Sequence, residues 1–154
     1  MVDIEFLPAE VGDASALASL RVAAMQPSLE QVERFDPERA RERFLADYSP
    51  EHTCHVSLQG QRVGCVVVKP DRLGFLLQHL YIHPEHQNRG IGSAVLAKVF
   101  ALADAAEQEL RLVALRGSGA NRFYQRHGFV PMQEVDVDVY YTRPRPAARL
   151  QNTA

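Results

Sequence analysis

LYIHPEHQNRGIGSAVL spans Leu80–Leu96. An apolar run leaves through His83-Pro84, a small polar cluster follows, and Gly90 and Gly92 stand where an apolar, helix-like run begins. Glycine is the poorest ordinary helix former, so its use there needs a reason. It permits backbone angles that other residues avoid, and it lets a ligand approach bare main chain. The first amides of a helix have no partner inside it, and the macrodipole adds roughly half a positive charge at that end. The stretch is therefore a candidate phosphate cradle, lined by Gln87, Asn88, Arg89, Gly90, Ile91, Gly92 and Ser93. A tight strand-to-helix connector is the other reading of the same glycines. Two phosphate loops fail the test. A P-loop needs Gly, four residues, then Gly-Lys-Ser/Thr, which is missing here. A dinucleotide fold needs a third glycine where Val95 stands.

Working outward, the flanks read as alternating elements. Ile4 to Ala9 is a short first strand. Asp13 is a candidate cap for a helix with Leu17, Leu20 and Ala24 on one face, ended by Pro27. Asp36 and Pro37 open a second helix with Ala40, Phe44 and Leu45 as its inner stripe. TCHVSL and RVGCVVVK form a hairpin across the Gln59-Gly60-Gln61 turn. GFLLQHLYIH is a fourth strand, stopped by Pro84. A long helix follows from about Ser93 to Gln108, with Ile91, Val95, Val99, Leu102 and Ala106 recurring at helical spacing. ELRLVAL is a strand, and ANRFYQRHG a short helix closed by Gly128. EVDVDVYY alternates as a half-exposed strand should. This order predicts an α/β, α+β-like mixed sheet with helices on its faces. Residues 1–143 form a single domain, and residues 144–154 a flexible tail.

Composition bounds the rest. The 154 residues are 46% hydrophobic, enough for a real core. A net charge of −2 excludes broad electrostatic binding to nucleic acid, which needs a basic face. Cys54 and Cys65 read as free thiols. No apolar run approaches ~20 residues and no basic leader precedes one, so no membrane partner is expected and the protein is placed in the cytoplasm.

LYIHPEHQNRGIGSAVL closely resembles the signature of the GNAT superfamily of acetyl-CoA-dependent N-acetyltransferases, in which Gln87, Gly90 and Gly92 match Gln-x-x-Gly-x-Gly. ANRFYQRHGF resembles the second signature of that family through Ala120, Phe123, Tyr124, Gly128 and Phe129. The resemblance covers nearly all of residues 3–142. It implies the GNAT fold: a mostly antiparallel mixed sheet of about six to seven strands, splayed between strands 4 and 5, with about four helices. It also implies acetyl-CoA as co-substrate in that opening, its pyrophosphate on the amides of Gln87 to Ser93. Backbone groups of Leu80, Tyr81 and Ile82 meet the pantetheine arm, and an amide there meets the developing oxyanion. A primary amine attacks the thioester directly, and Tyr124 is the general acid to the departing CoA thiolate.

The match also departs from the family. The fourth-strand carboxylate or histidine that serves many relatives as base aligns with Leu76 or Gln78, which cannot do that work. Neighbouring His79 is the candidate base, with a chain of waters as the alternative. A histidine base would slow the reaction below pH ~6.5. The family's Asn ahead of the second signature is missing, and Ser118 is the candidate substitute at the CoA. His83, Glu85 and His86 have a ligand-like spacing, but Pro84 breaks the helix that would align them, and no metal is expected. Arg39, Arg41 and Arg43 read as a solvated face, with Arg43 the one candidate to reach the acceptor. Acidic Glu30, Glu33, Asp136 and Asp138 would suit a cationic acceptor, whose identity no motif gives. A homodimer through the late strands is left open. A non-catalytic acyl-CoA-binding sensor or interaction module is the alternative to the enzyme.

Overall fold

The computed structural model describes residues 2–151, and for Leu150 and Gln151 the backbone only. Among the described residues the order is β1 (Glu5–Pro8), α1 (Ala14–Gln31), α2 (Pro37–Ala46), β2 (Thr53–Leu58), β3 (Gln61–Asp71), β4 (Gly74–Ile82), α3 (Ile91–Ala105), β5 (Leu110–Leu115), α4 (Ala120–Arg126), β6 (Val130–Val135), β7 (Asp138–Arg143) and α5 (Pro146–Gln151). The seven strands form one sheet in the order β1-β2-β3-β4-β5-β7-β6. Pairs β1–β2, β2–β3, β5–β7 and β6–β7 are antiparallel. β4 and β5 run parallel and pair at Phe75↔Leu110 and Leu76↔Arg111, near the start of both strands, and splay beyond. This is the mixed, open sheet of the GNAT fold.

The chain divides into two compact units, Met1–Val67 with His79–Val95, and Val68–Gln78 with Leu96–Ala154. In the first, Ala9, Leu17, Ala18, Phe44 and Cys65 form a buried cluster with Leu20, Tyr48 and Tyr81 packed against it. α2 starts as its sequence dictates: the Asp36 carboxylate accepts the Arg39 amide at 3.1 Å and Pro37 takes the first turn. One turn apart on its inner side, Ala40 and Phe44 are buried; burying a Phe side chain contributes about 1.5–3 kcal/mol. Arg41 ties α2 to α1 through Ser15 and Ser19 and is not simply solvated. Gly64 on β3 lies so close to β4 that a Cβ there would run into the Tyr81 carbonyl oxygen. In the second unit Leu110, Leu112, Ala114, Val139 and Tyr141 are buried on β5 and β7. Phe129 packs against Phe100 and Tyr124 with ring centroids 5.7 and 5.6 Å apart.

Several local expectations are corrected. α1 does not stop at Pro27 but continues to Gln31. Proline removes one N–H from the ladder, and a Gln26–Glu30 side-chain bond of 2.8 Å spans the position. Asp13 stands at the α1 N-cap position without capping it. Its carboxylate accepts instead from the Glu10 amide and pairs with the buried His55 at 2.9 Å. Leu45 and Leu102 face outward, since the inner stripes drift with the 3.6-residue period. α3 starts at Ile91 and ends at Ala105. EVDVDVYY is no single strand: it turns at Asp136, whose φ is +54°, and divides between β6 and β7. Among the described residues there are five α-helices, in keeping with the expected number of about four. The fifth, within the expected tail, is α5, whose Arg149 reaches Asp104 at 2.8 Å; residues 152–154 lie outside the described residues.

Candidate active site

The candidate cradle lies where β4 hands over to α3. The His83 amide ends the ladder on the Val63 carbonyl at 2.8 Å, and Pro84–His86 makes a single 3-10 turn. Gln87 is absorbed by this exit. Its amide closes onto the Pro84 carbonyl at 3.4 Å, and its side chain donates to the Ile82 carbonyl at 3.0 Å. Past it the backbone is left-handed twice, at Asn88 (φ +64°) and Gly90 (φ +79°). Asn tolerates that region and Gly favours it, so Gly90 is explained by its own backbone. Gly92 lies inside the first turn of α3, where nothing in the backbone asks for glycine. The first bond closing the helix runs from the Ala94 amide to the Gly90 carbonyl at 3.1 Å, so the Ile91 and Gly92 amides precede it. Buried Ile91, Ala94 and Val95 anchor this end. Arg89 is exposed and adds a cation. Together with the 15-residue helix behind it, the loop can hold an anion on its main chain.

Just upstream on β4, His79 and Tyr81 share a face, with ring centroids 5.4 Å apart. His79 Nδ1 lies 2.6 Å from the Tyr81 hydroxyl, and its ring packs on Phe44 of α2 at 5.1 Å. Arg21 of α1, only 8% exposed, donates from Nε to the same hydroxyl at 3.0 Å. Burial pushes the Tyr81 phenol up to about 12. Sequence reasoning missed Arg21. The available signal was a guanidinium one turn after Leu17 on an otherwise apolar helix face.

Tyr124 and Ser118 belong to the second unit. Tyr124 sits on α4, half-buried, its ring against Phe123 at 5.3 Å as well as Phe129. The helix is fixed from β7: the Tyr141 hydroxyl donates to Asn121 Oδ1 at 2.7 Å and accepts from Gln125 Nε2 at 2.9 Å. Gly128, with φ +94°, closes the end as expected. Burial, aided by the Arg126 charge, moves neighbouring His127 below the usual histidine range. Ser118 is buried, and its hydroxyl donates to the Leu115 carbonyl at 2.8 Å, holding the turn between β5 and α4. Among the described residues no three His, Cys, Asp or Glu side chains gather as a metal site, and no helix is long and apolar enough to cross a membrane.

The acetyltransferase (GNAT) domain family matches residues 50–131, more than half of the chain, and the chain belongs to that family. It is an acyltransferase. No curated protein matches its sequence. Solved structures match its fold. The PaiA N-acetyltransferase from Thermoplasma acidophilum in complex with coenzyme A is 17% identical with a TM-score of 0.76, over 93% of this chain and 99% of that one. An acetyltransferase from Thermus thermophilus is 21% identical with a TM-score of 0.72, over 93% of this chain and 97% of that one.

Proposed function

We propose that this chain transfers an acetyl group from acetyl-CoA to a primary amine, of a small molecule or a protein, by direct attack on the thioester. The observation that carries the reading is the start of α3. Asn88 and Gly90, both in left-handed backbone, carry the chain into α3, so that the Ile91 and Gly92 amides precede the first bond of the helix, from Ala94 to Gly90, as a diphosphate site would need. The likeness to a coenzyme A complex supports the same ligand. In this reading Asn88 to Ser93 hold the pyrophosphate, Gln87 shapes the loop, and the backbone of Leu80 to Ile82 serves the pantetheine arm and the oxyanion. Tyr124 protonates the departing thiolate, His79 serves the acceptor side, and Ser118 supports the CoA wall through its turn. A cytoplasmic setting and a homodimer through β6 and β7 belong to the same proposal.

Gly92→Glu tests it. A helix tolerates the substitution, while the carboxylate opposes an anion at that spot. Acetyl-CoA affinity measured by calorimetry should fall at least tenfold, about 1.4 kcal/mol, with the melting temperature within a few degrees of the parent. Affinity within twofold of the parent would overturn the site. Release of free thiol from acetyl-CoA across an amine panel tests turnover. Binding without release for every amine would favour the sensor module, to which the absence of a carboxylate at Leu76 or Gln78 lends weight.

A further inference from the structure

Arg21 is an expensive residue to place on the buried stripe of α1, and its contacts say what it does there. A guanidinium has donors only. Nη1 donates to the Ala40 carbonyl at 2.7 Å, and Nε faces both the Tyr81 hydroxyl at 3.0 Å and Met25 Sδ at 3.2 Å. One lone pair of the Tyr81 oxygen is therefore taken by Arg21. The same oxygen lies 2.6 Å from His79 Nδ1, and that contact holds a single proton. If Nδ1 supplied it, the phenol would accept twice and its own proton would need a further acceptor beside the buried cluster of Leu17, Phe44 and Cys65. If the phenol supplies it, the phenol proton has its acceptor in Nδ1 and the Arg21 Nε proton has its acceptor in the phenol oxygen, as buried polar groups require.

The geometry points to Arg21 and Tyr81 as positioning residues that hold His79 as the neutral tautomer with its proton on Nε2, so that His79 serves acetyl transfer as a hydrogen-bond donor and not as the amine's base. The proposal rests on His79 belonging to the acceptor side. To accept a proton at Nε2, the ring would first have to carry one on Nδ1. That would displace the Tyr81 donation beside the Arg21 charge. The ionisable groups around the cluster in this unit are Arg21 from α1, Tyr48 after α2 and Cys65 on β3, with Glu10 and Asp13 acting on Tyr48. Burial raises Tyr48, Tyr81 and Cys65, so they stay neutral across the working range. The Phe44 ring packs on His79 at 5.1 Å between centroids, tilted by 49°.

Nitrogen-15 spectra of the full chain labelled at histidine read the tautomer without turnover, with His79→Gln giving the assignment. The expected result is a protonated Nε2 and a hydrogen-bonded, unprotonated Nδ1, whose signal shifts in Tyr81→Phe and in Arg21→Met. A protonated Nδ1 in the parent, or an Nδ1 signal that neither variant moves, overturns the lock. Kinetics then separate donor from base. His79→Ala should lower kcat about a hundredfold, the typical loss for one donor to a developing charge. His79→Gln keeps an N–H near the Nε2 position but cannot act as a base, and should recover most of that loss with the acid limb of the rate–pH profile unmoved. Equal inactivity of both variants, or an acid limb that vanishes only in His79→Gln, overturns the donor role. If the parent releases no thiol with any amine, acetyl transfer itself fails, and the spectra still decide the tautomer.

Discussion

Tyr124 is the residue on which proton transfer in the proposed reaction turns. A departing thiolate needs a proton, and a phenol supplies one without carrying a charge of its own into the site. The structure fixes where that phenol sits. Phe123 and Phe129 hold its ring edge-on, while Asn121 and Gln125 clamp α4 to Tyr141. Tyr124→Phe keeps all of these ring contacts and removes the hydroxyl alone. It should therefore lower kcat about a hundredfold or more, within the span of general acid catalysis. The KM for acetyl-CoA should stay within about twofold, since a group used only in the transition state does not change ground-state binding. Unchanged turnover would leave Tyr124 as a packing residue. A raised KM with unchanged kcat would make it a cofactor contact.

At the scale of elements, a carboxylate ties the C-terminal helix to α3. Asp104 of α3 receives two bonds from Arg143 of β7, at 2.7 and 3.1 Å, and one from Arg149 of α5 at 2.8 Å. Arg143 also stacks its guanidinium 4.0 Å from the Phe100 ring centroid. The arginines, Arg143 first, hold the Asp104 carboxyl below the usual range. Asp104→Asn cannot serve both arginines. It should cost about 1 kcal/mol after solvent screening and speed amide exchange in residues 146–151. Exchange that stays at the parent rate would mean that α5 is held by other contacts. The sequence around Arg143 showed none of this, because Asp104 lies 39 residues away and its role exists only once α3 and β7 meet. By contrast, α2, the β2–β3 hairpin and the loop that leads into α3 were readable. Each is set by neighbours in sequence: Asp36-Pro37, Gln59-Gly60, and Asn88 to Gly92. The failures have the same explanation in reverse. Pro27 lies in a helix because contacts outweigh the local break. Asp136 makes a turn because its φ of +54° departs from an alternating pattern that otherwise reads as strand. The glycine-containing loop ahead of α3 was legible because it is one local segment, whereas Arg21, 60 residues from Tyr81, was not.

For the molecule as a whole, the ionisable groups predict the shape of stability against pH. Three carboxylates join distant segments. Asp13 meets His55, Asp71 meets Arg111, and Asp104 meets Arg143 and Arg149. Each is held below its ordinary value of 3.8, first by a side-chain hydrogen bond: from His55 to Asp13, from Arg111 to Asp71 and from Arg143 to Asp104. An acid with a lowered folded value contributes stability above its unfolded value and loses it as pH falls through the folded one. The acid limb should therefore open near pH 4 and deepen below it. The other limb comes from buried acids. Burial pushes the Cys65 thiol from 9.0, and the Tyr81 phenol from 10.0, each up to about 12. Such a group gives its full stability below the unfolded value and loses it as pH rises towards the folded one. Above about pH 9 the unfolded chain gains by ionising Cys65 while the folded chain does not. The lowered His127 adds a smaller loss as pH falls below its ordinary value of 6.5. Melting temperature against pH should thus be highest between about pH 6.5 and pH 8.5, with the carboxylate and thiol shoulders on either side independent of each other. Asp71→Asn with Asp104→Asn should flatten the acid shoulder and leave the alkaline one in place. Burial raises the Cys54 thiol above its ordinary value as well, so Cys54→Ala with Cys65→Ala should do the reverse, moving the alkaline shoulder up by about one unit towards the value set by Tyr81. An alkaline shoulder unmoved in that double variant would show that another group opens the fold at high pH.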